Sequence, residues 1–231
     1  MINHLQNLGK VPLEIQHRVA GLERWHMIHM RNRENLATHS YLVAMNSMKV
    51  INNVVDVAKS NSDRTDIDWS DIQARTLTLA LLHDVPETDL SDVSTVSKKA
   101  IGQSIGNPDF FYKMEEEFFA KFDVDFGELT RGLPALVVEA VDSFQALIFF
   151  LQNGDERFYQ KVGPNTNISV KLTEAFDKKV RTVNQRVLSL FNEEKVINNI
   201  TTLIFGEFYE LIHNMRQPRI NEREALTRSI N

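Results

Sequence analysis

LLHDVPETDLSDV, residues 81–93, is the stretch on which the reading of this chain turns. Thr76 to Leu82 is apolar enough for the buried end of a helix, and Asp84, Glu87, Asp89 and Asp92 then follow in quick succession. A solvated turn accounts for the acids, but less easily for His83 and Asp84 standing directly against Leu81 and Leu82. Pro86 is compatible with a helix stopping near Val85, because proline disfavours helix in the residue before it. The stretch is either an acidic turn or the rim of a metal site.

Working outward, Ser70 and Gln73 form a capping-box pattern that would open the helix ending near His83. Leu42, Val43, Met45, Val50, Val54 and Val57 make a helical apolar stripe between Thr38 and Ser60. Leu13–Leu22 reads as a first short helix, and Asp109–Phe122 as one with an apolar and an acidic side. Pro134 suits the first turn of a helix that runs through ALVVEAVDSFQALIFFLQNG to Gly154. Val170–Glu193 and Lys195–Met215 follow as helices before a charged tail, while Asp92–Asn107 is Ser/Thr-rich and reads as irregular. No segment alternates as a strand would, and 9 Gly with 6 Pro are few for the turns of an all-β fold. The expectation is an all-α single domain, with a core over residues 13–155 and a helical C-terminal extension over 165–216.

Composition narrows the partners. The 231 residues, 42% of them hydrophobic and 25% charged, suffice for one real core. A formal charge of -5 gives no electrostatic reason to expect a nucleic-acid polymer. The absence of cysteine excludes thiolate ligands and Cys nucleophiles and fits a cytoplasmic location, so any metal must be held by His, Asp or Glu. The N-terminus MINHLQNLGK lacks a signal core, and no stretch is apolar enough without interruption to suggest a membrane partner.

His39 opens one predicted helix, His83 and Asp84 close another, and Asp142 interrupts the apolar face of a third. Each alone has an ordinary explanation: a cap or satisfied core histidine, or a carboxylate paired with Arg or Lys. Together, two imidazoles and two carboxylates supply four N/O donors for one divalent ion, with positions left for water and substrate. Such an ion supports phosphoester hydrolysis.

The order His39, His83-Asp84, Asp142 resembles that of the HD superfamily of metal-dependent phosphohydrolases, which would make the fold an HD-domain helical bundle with extra C-terminal helices. RWHMIHMRNRENLATHS, residues 24–40, is similar to the RW-x-x-M-R-N-x-x-x-E-N-x-x-x-HS segment of the 5'-deoxynucleotidase (YfbR-like) branch, with two extra residues near His29 and Met30. HDVPETDLSDV and AVDSFQAL match further segments of that branch. The resemblance covers residues 20–155. It implies His39, His83, Asp84 and Asp142 as ligands of one divalent ion (Co, Mn, Zn or Mg) and Glu87 as general acid or base. Asp92 would orient or activate the attacking water. It further implies Arg24 as a grip on phosphate, Trp25 against the sugar, Lys98 near the phosphates, and a homo-oligomer. Asp89 has no counterpart and reads as a cap or exposed residue.

The function implied is hydrolysis of the 5'-phosphoester of a deoxynucleotide. Bacterial relatives release phosphate from monophosphates, and phage relatives of the DatZ type release triphosphate from dATP; a phage protein would act in the host cytoplasm. The alternatives are an alarmone hydrolase, which normally carries adjacent Glu-Asp where this chain has Glu87-Thr88, and a non-catalytic HD-fold regulator, which typically loses a ligand or the catalytic acid.

Overall fold

The computed structural model describes residues 2–25, 29–61, 66–90, 93, 95–155, 167–190 and 199–230. Among them there is no strand, only the isolated bridges Glu23–Asn35 and Met30–Gly154, so the fold is all-α as expected. In chain order the helices are α1 Ile2–Lys10, α2 Leu13–Gly21, α3 Leu36–Asn61, α4 Trp69–Leu82, α5 Glu87–Leu90 and α6 Thr95–Ser104. Then come α7 Phe110–Ala120, α8 Phe126–Leu129, α9 Leu133–Asn153, α10 Ile168–Leu190 and α11 Ile200–Ile230.

The centre of the fold is α9, whose residues are apolar on nearly every side because it is wrapped by α3, α4 and α10. By length and composition α9 could cross a membrane, but its apolar surface is the protein core: Val137, Ala140, Val141, Leu147 and Phe150 are fully buried. Gly132 precedes it at φ 73, in the left-handed region that glycine enters without strain, and Pro134 occupies the first turn. Gly154 ends it where a Cβ would lie 2.5 Å from the Phe150 ring. That close approach lets Met30 bridge to Gly154 while the Arg31 N–H donates to the Asn153 carbonyl at 2.8 Å.

Several boundaries differ from expectation for local reasons. The cap of α4 is Asp68, not Ser70: its carboxylate accepts the Asp71 N–H at 3.0 Å, and a negative charge there also suits the helix dipole. α3 starts at Leu36, two residues ahead of the expected Thr38, because the Asn35 side chain accepts from the N–H groups of Ala37 and Thr38. The segment expected to be irregular contains α6, which carries the helix formers Lys98, Lys99 and Ala100 and is tied to α7 by Lys98 and Glu115. The unanticipated α1 lies along α4, where the Thr78 hydroxyl donates to the His4 carbonyl. The charged tail is helical through Ile230 as part of α11. The helix boundary expected between Glu193 and Lys195 lies outside the described residues.

Candidate metal centre

Three helices deliver the polar groups that converge beneath the Arg24–Trp25 segment. His39 stands in the first turn of α3 and is fully buried. His83 is the C-cap of α4, its N–H donating to the Leu79 carbonyl at 2.8 Å, and Asp84 follows in the turn. Asp142 projects from the middle of α9. The stop at Pro86 is therefore what leaves His83 and Asp84 at a helix end, free to face α3 and α9.

One nitrogen of each histidine is directed at this cluster. His83 Nδ1 lies 2.8 Å from the Ala80 carbonyl, and because a carbonyl only accepts, Nδ1 carries a proton and Nε2 is the nitrogen left to face the cluster. His83 Nε2 is then 3.2 Å from Asp84 Oδ2. His39 Nε2 is 3.1 Å from Asp142 Oδ1 and 3.5 Å from Asp84 Oδ2. The two imidazole rings are 5.6 Å apart between centroids. Donor atoms of His39, His83 and Asp142 all lie within 4.8 Å of one another.

These contacts are close but misaligned for hydrogen bonding. His39 Nε2, His83 Nε2, Asp84 Oδ2 and Asp142 Oδ1 are all buried without a hydrogen-bond partner. Orphaned buried groups of this kind are costly. Two nitrogens and two carboxylate oxygens, with neighbouring N···O pairs at 3.1 to 3.5 Å, suit a divalent ion with ligand distances near 2.1 Å. The residues thus fit a single ion of the zinc or first-row type.

Electrostatics point the same way. The carboxylates of Asp84, Asp142, Glu87 and Glu34 surround one guanidinium, that of Arg24. Burial lowers the Arg24 pKa, but these four acids outweigh it and hold the side chain firmly charged. Burial likewise pushes the carboxyl of Asp84 up, yet His83, Arg24 and His39 keep it well below its ordinary value. For Asp142, His39 and Arg24 outweigh burial and the repulsion of Asp84 to the same effect. The His39 imidazole is lowered by burial and by Arg24, but Asp142 and Glu34 more than offset both and raise it to about 9. Carboxylates outnumber the cationic side chains around this cluster, which suits it to a cation.

The remaining predicted residues divide. Arg24 lies 3.7 Å from Asp84, 3.8 Å from Asp142 and 3.9 Å from Glu34, with Nη1 buried and without a hydrogen bond. Trp25 adopts φ 70 and stacks on Phe149 at 5.9 Å and 14°. Glu87 opens α5, is 6% exposed, and is tied to the cluster through its N–H on the Asp84 carbonyl. Lys98 sits apart, 2.8 Å from Glu115 and over the Phe111 ring. Asp92 lies outside the described residues. Asp89 is exposed and pairs with Arg18 at 3.2 Å, matching its reading as a surface residue.

Sequence reasoning gives Glu34 no role of its own in the site. In the structure it is 3% exposed and accepts the Trp25 indole N–H at 3.0 Å. Its signal was there: a glutamate five residues before His39, inside the E-N-x-x-x-H pattern.

Comparison with known proteins agrees with this geometry. Residues 13–123 match the family described as 5'-deoxynucleotidase YfbR-like, a span that includes His39, His83 and Asp84. Among solved structures, the cyanophage S-2L HD phosphohydrolase DatZ, bound to dA and one catalytic Zn²⁺ ion, superposes with a TM-score of 0.55. The superposition covers 88% of this chain and 98% of that one at 13% identity, so the shared feature is the fold. No curated protein matches the sequence.

Proposed function

We infer that this chain, whose residues 13–123 match the YfbR-like 5'-deoxynucleotidase family, is a metal-dependent hydrolase that cleaves the 5'-phosphoester of deoxynucleotides. The observation that carries this reading is the set of four buried, unpartnered donor atoms contributed by His39, His83, Asp84 and Asp142. When bound there, a divalent ion supplies charge neutralisation at the phosphoryl group and a nucleophile at neutral pH.

The chain's own groups do the rest. Arg24, with Nη1 free of hydrogen bonds, offers the planar fork that suits a phosphate and would exchange its long carboxylate contacts for that anion. Glu87, one turn past the ligand pair and buried beside it, is assigned as the general acid or base. Asp92 is assigned to the attacking water by its position in the motif. Trp25 packs on the sugar, held by Glu34 and Phe149. Lys98 reaches the phosphates only by leaving Glu115.

The product is a deoxynucleoside, with phosphate released from a monophosphate or triphosphate from a dNTP. Nothing in the family match favours the alarmone-hydrolase or non-catalytic readings. We further infer one domain, a homo-oligomer acting in the cytoplasm, and no nucleic-acid polymer partner, the last supported by the net charge of -5. The test is a chromatographic screen of dNMPs and dNTPs with Co²⁺, Mn²⁺, Mg²⁺ or Zn²⁺ that identifies the released anion. Release of phosphate or triphosphate is expected; no hydrolysis of any deoxynucleotide by ion-replete protein sinks the reading.

A further inference from the structure

We propose that Glu34 is a positioning residue that joins the histidine His39 to the Arg24–Trp25 pair through one carboxylate oxygen, so that ion binding and the indole respond to each other. The proposal rests on the hydrolase reading above, which places the ion at His39 and the nucleotide at Arg24 and Trp25.

Glu34 Oε2 accepts the Trp25 indole N–H at 3.0 Å, stands 3.5 Å from His39 Nδ1 and 3.9 Å from Arg24 Nη1. A carboxylate buried to 3% exposure is unfavourable unless its oxygens meet donors, and all three groups facing this one belong to the site. His39 is fully buried, so both ring nitrogens must be used within the protein. If Nδ1 carries the proton towards Glu34, Nε2 presents its lone pair to Asp84 and Asp142, which is the tautomer that a metal ion needs. At 3.5 Å the contact is long for a hydrogen bond, and Nδ1 is otherwise without a hydrogen-bond partner among the described residues.

The backbone repeats the link. The Arg24 N–H donates to the Glu34 carbonyl at 2.8 Å, the Leu36 N–H to the Leu22 carbonyl at 2.9 Å, and Glu23 bridges to Asn35. Trp25 at φ 70 occupies a conformation that a bulky residue keeps only when its surroundings over-determine it. Three ties do so: the indole on Glu34, the Trp25 carbonyl accepting from the Arg33 guanidinium, and the stack on Phe149. Glu34 is the member of this set that also faces the donor cluster. Whatever moves its carboxylate reaches both sides, and coupling of that kind is reciprocal.

The test titrates the chelator-stripped full-length chain with Zn²⁺ alone, in a Trp69→Phe background that leaves Trp25 as the remaining indole of the two. Glu34→Gln keeps the side-chain shape and removes the charge. The Zn²⁺ dissociation constant is expected to rise about 10- to 100-fold, the magnitude found for groups that orient metal-bound histidines. The change in Trp25 emission on Zn²⁺ addition, expected in the parent chain, is lost in the variant, while the melting temperature of the ion-free chain hardly moves. A folded Glu34→Gln with parental Zn²⁺ affinity and parental Trp25 response overturns the proposal. Where Glu34→Gln does not fold, Glu34→Asp decides, because it keeps the charge and withdraws the oxygen by one methylene. Weakened Zn²⁺ binding supports the link; parental binding, or failure of this variant to fold as well, overturns it. A parent chain that binds Zn²⁺ through Glu34 as described yet hydrolyses no deoxynucleotide removes the hydrolase reading and leaves the Glu34 link standing. Hydrolysis with Zn²⁺ affinity indifferent to Glu34 does the reverse.

Discussion

On one side of α9, Phe144 meets Phe208 at 4.6 Å and Phe176 at 5.5 Å, and Phe176 and Phe205 extend the cluster towards α10 and α11. Two residues earlier along the same helix, Asp142 turns to His39 and Arg24. The aromatic side is complete in itself: its rings adopt the edge and tilted arrangements that aromatic pairs prefer, and each is buried with no polar atom to satisfy. The polar side is incomplete, with donor atoms crowded together and none of them bonded. One helix thus carries a region that stabilises the fold without help and a region that stores an unsatisfied demand for a cation. Mutations and ligands should separate the two.

The largest effect expected is for His83→Ala or Asp84→Ala, which remove ion binding and turnover together while the ion-free chain stays folded. Calorimetric titration with Zn²⁺ beside an activity assay checks this, and turnover persisting without bound ion would break the comparison. Glu87→Ala should retain the ion and lower kcat about 10²- to 10⁴-fold, the usual contribution of a general acid or base. Loss of the ion in that variant would instead move Glu87 into the donor set. On the aromatic side, Phe176→Ala should cost about 3–5 kcal/mol of stability in denaturant unfolding and leave the Zn²⁺ affinity of the folded fraction unchanged. If it loosened the ion as much as His83→Ala does, the two sides would be one unit.

Saturating ion should itself stabilise the chain, by about 2.7 kcal/mol at a free concentration one hundred times the dissociation constant, and a chelator should reverse the gain. The smallest expected effect is on pH. With its pKa raised to about 9, His39 is protonated at neutral pH in the ion-free chain, and its contribution to stability is present below 6.5 and lost as pH climbs to about 9. Bound ion needs the neutral ring, so Zn²⁺ affinity should rise with pH up to about 9 and then level. A titration that releases no proton on ion binding at pH 7 would contradict this.

Much of this arrangement was legible because period and punctuation agree. The apolar run of α9, the stop at Pro86 and the stripe on α3 each announce a helix, and the motif order announces which residues those helices bring together. What escaped is what tertiary contact decides. The short segment HLQNLGK becomes α1 because α4 offers it a surface, and Asp68 displaces Ser70 as the cap because its carboxylate is the one that meets the Asp71 N–H. Glu34 escaped for a related reason. A glutamate in a polar segment looks solvated until the fold shows that Trp25 and His39 enclose it.

The bridge between Met30 and Gly154 has a consequence for how such a chain can vary. Together with the Glu23–Asn35 bridge it ties Glu23 and Met30, on either side of Trp25, to the start of α3 and to the end of α9. Between fixed posts, lengthening a connection is cheap: each doubling costs only about 0.6 kcal/mol in closure entropy. The two extra residues near His29 and Met30 fall in that span. The chain can therefore be retailored beside Trp25, residue by residue, with the histidines and carboxylates left where they are.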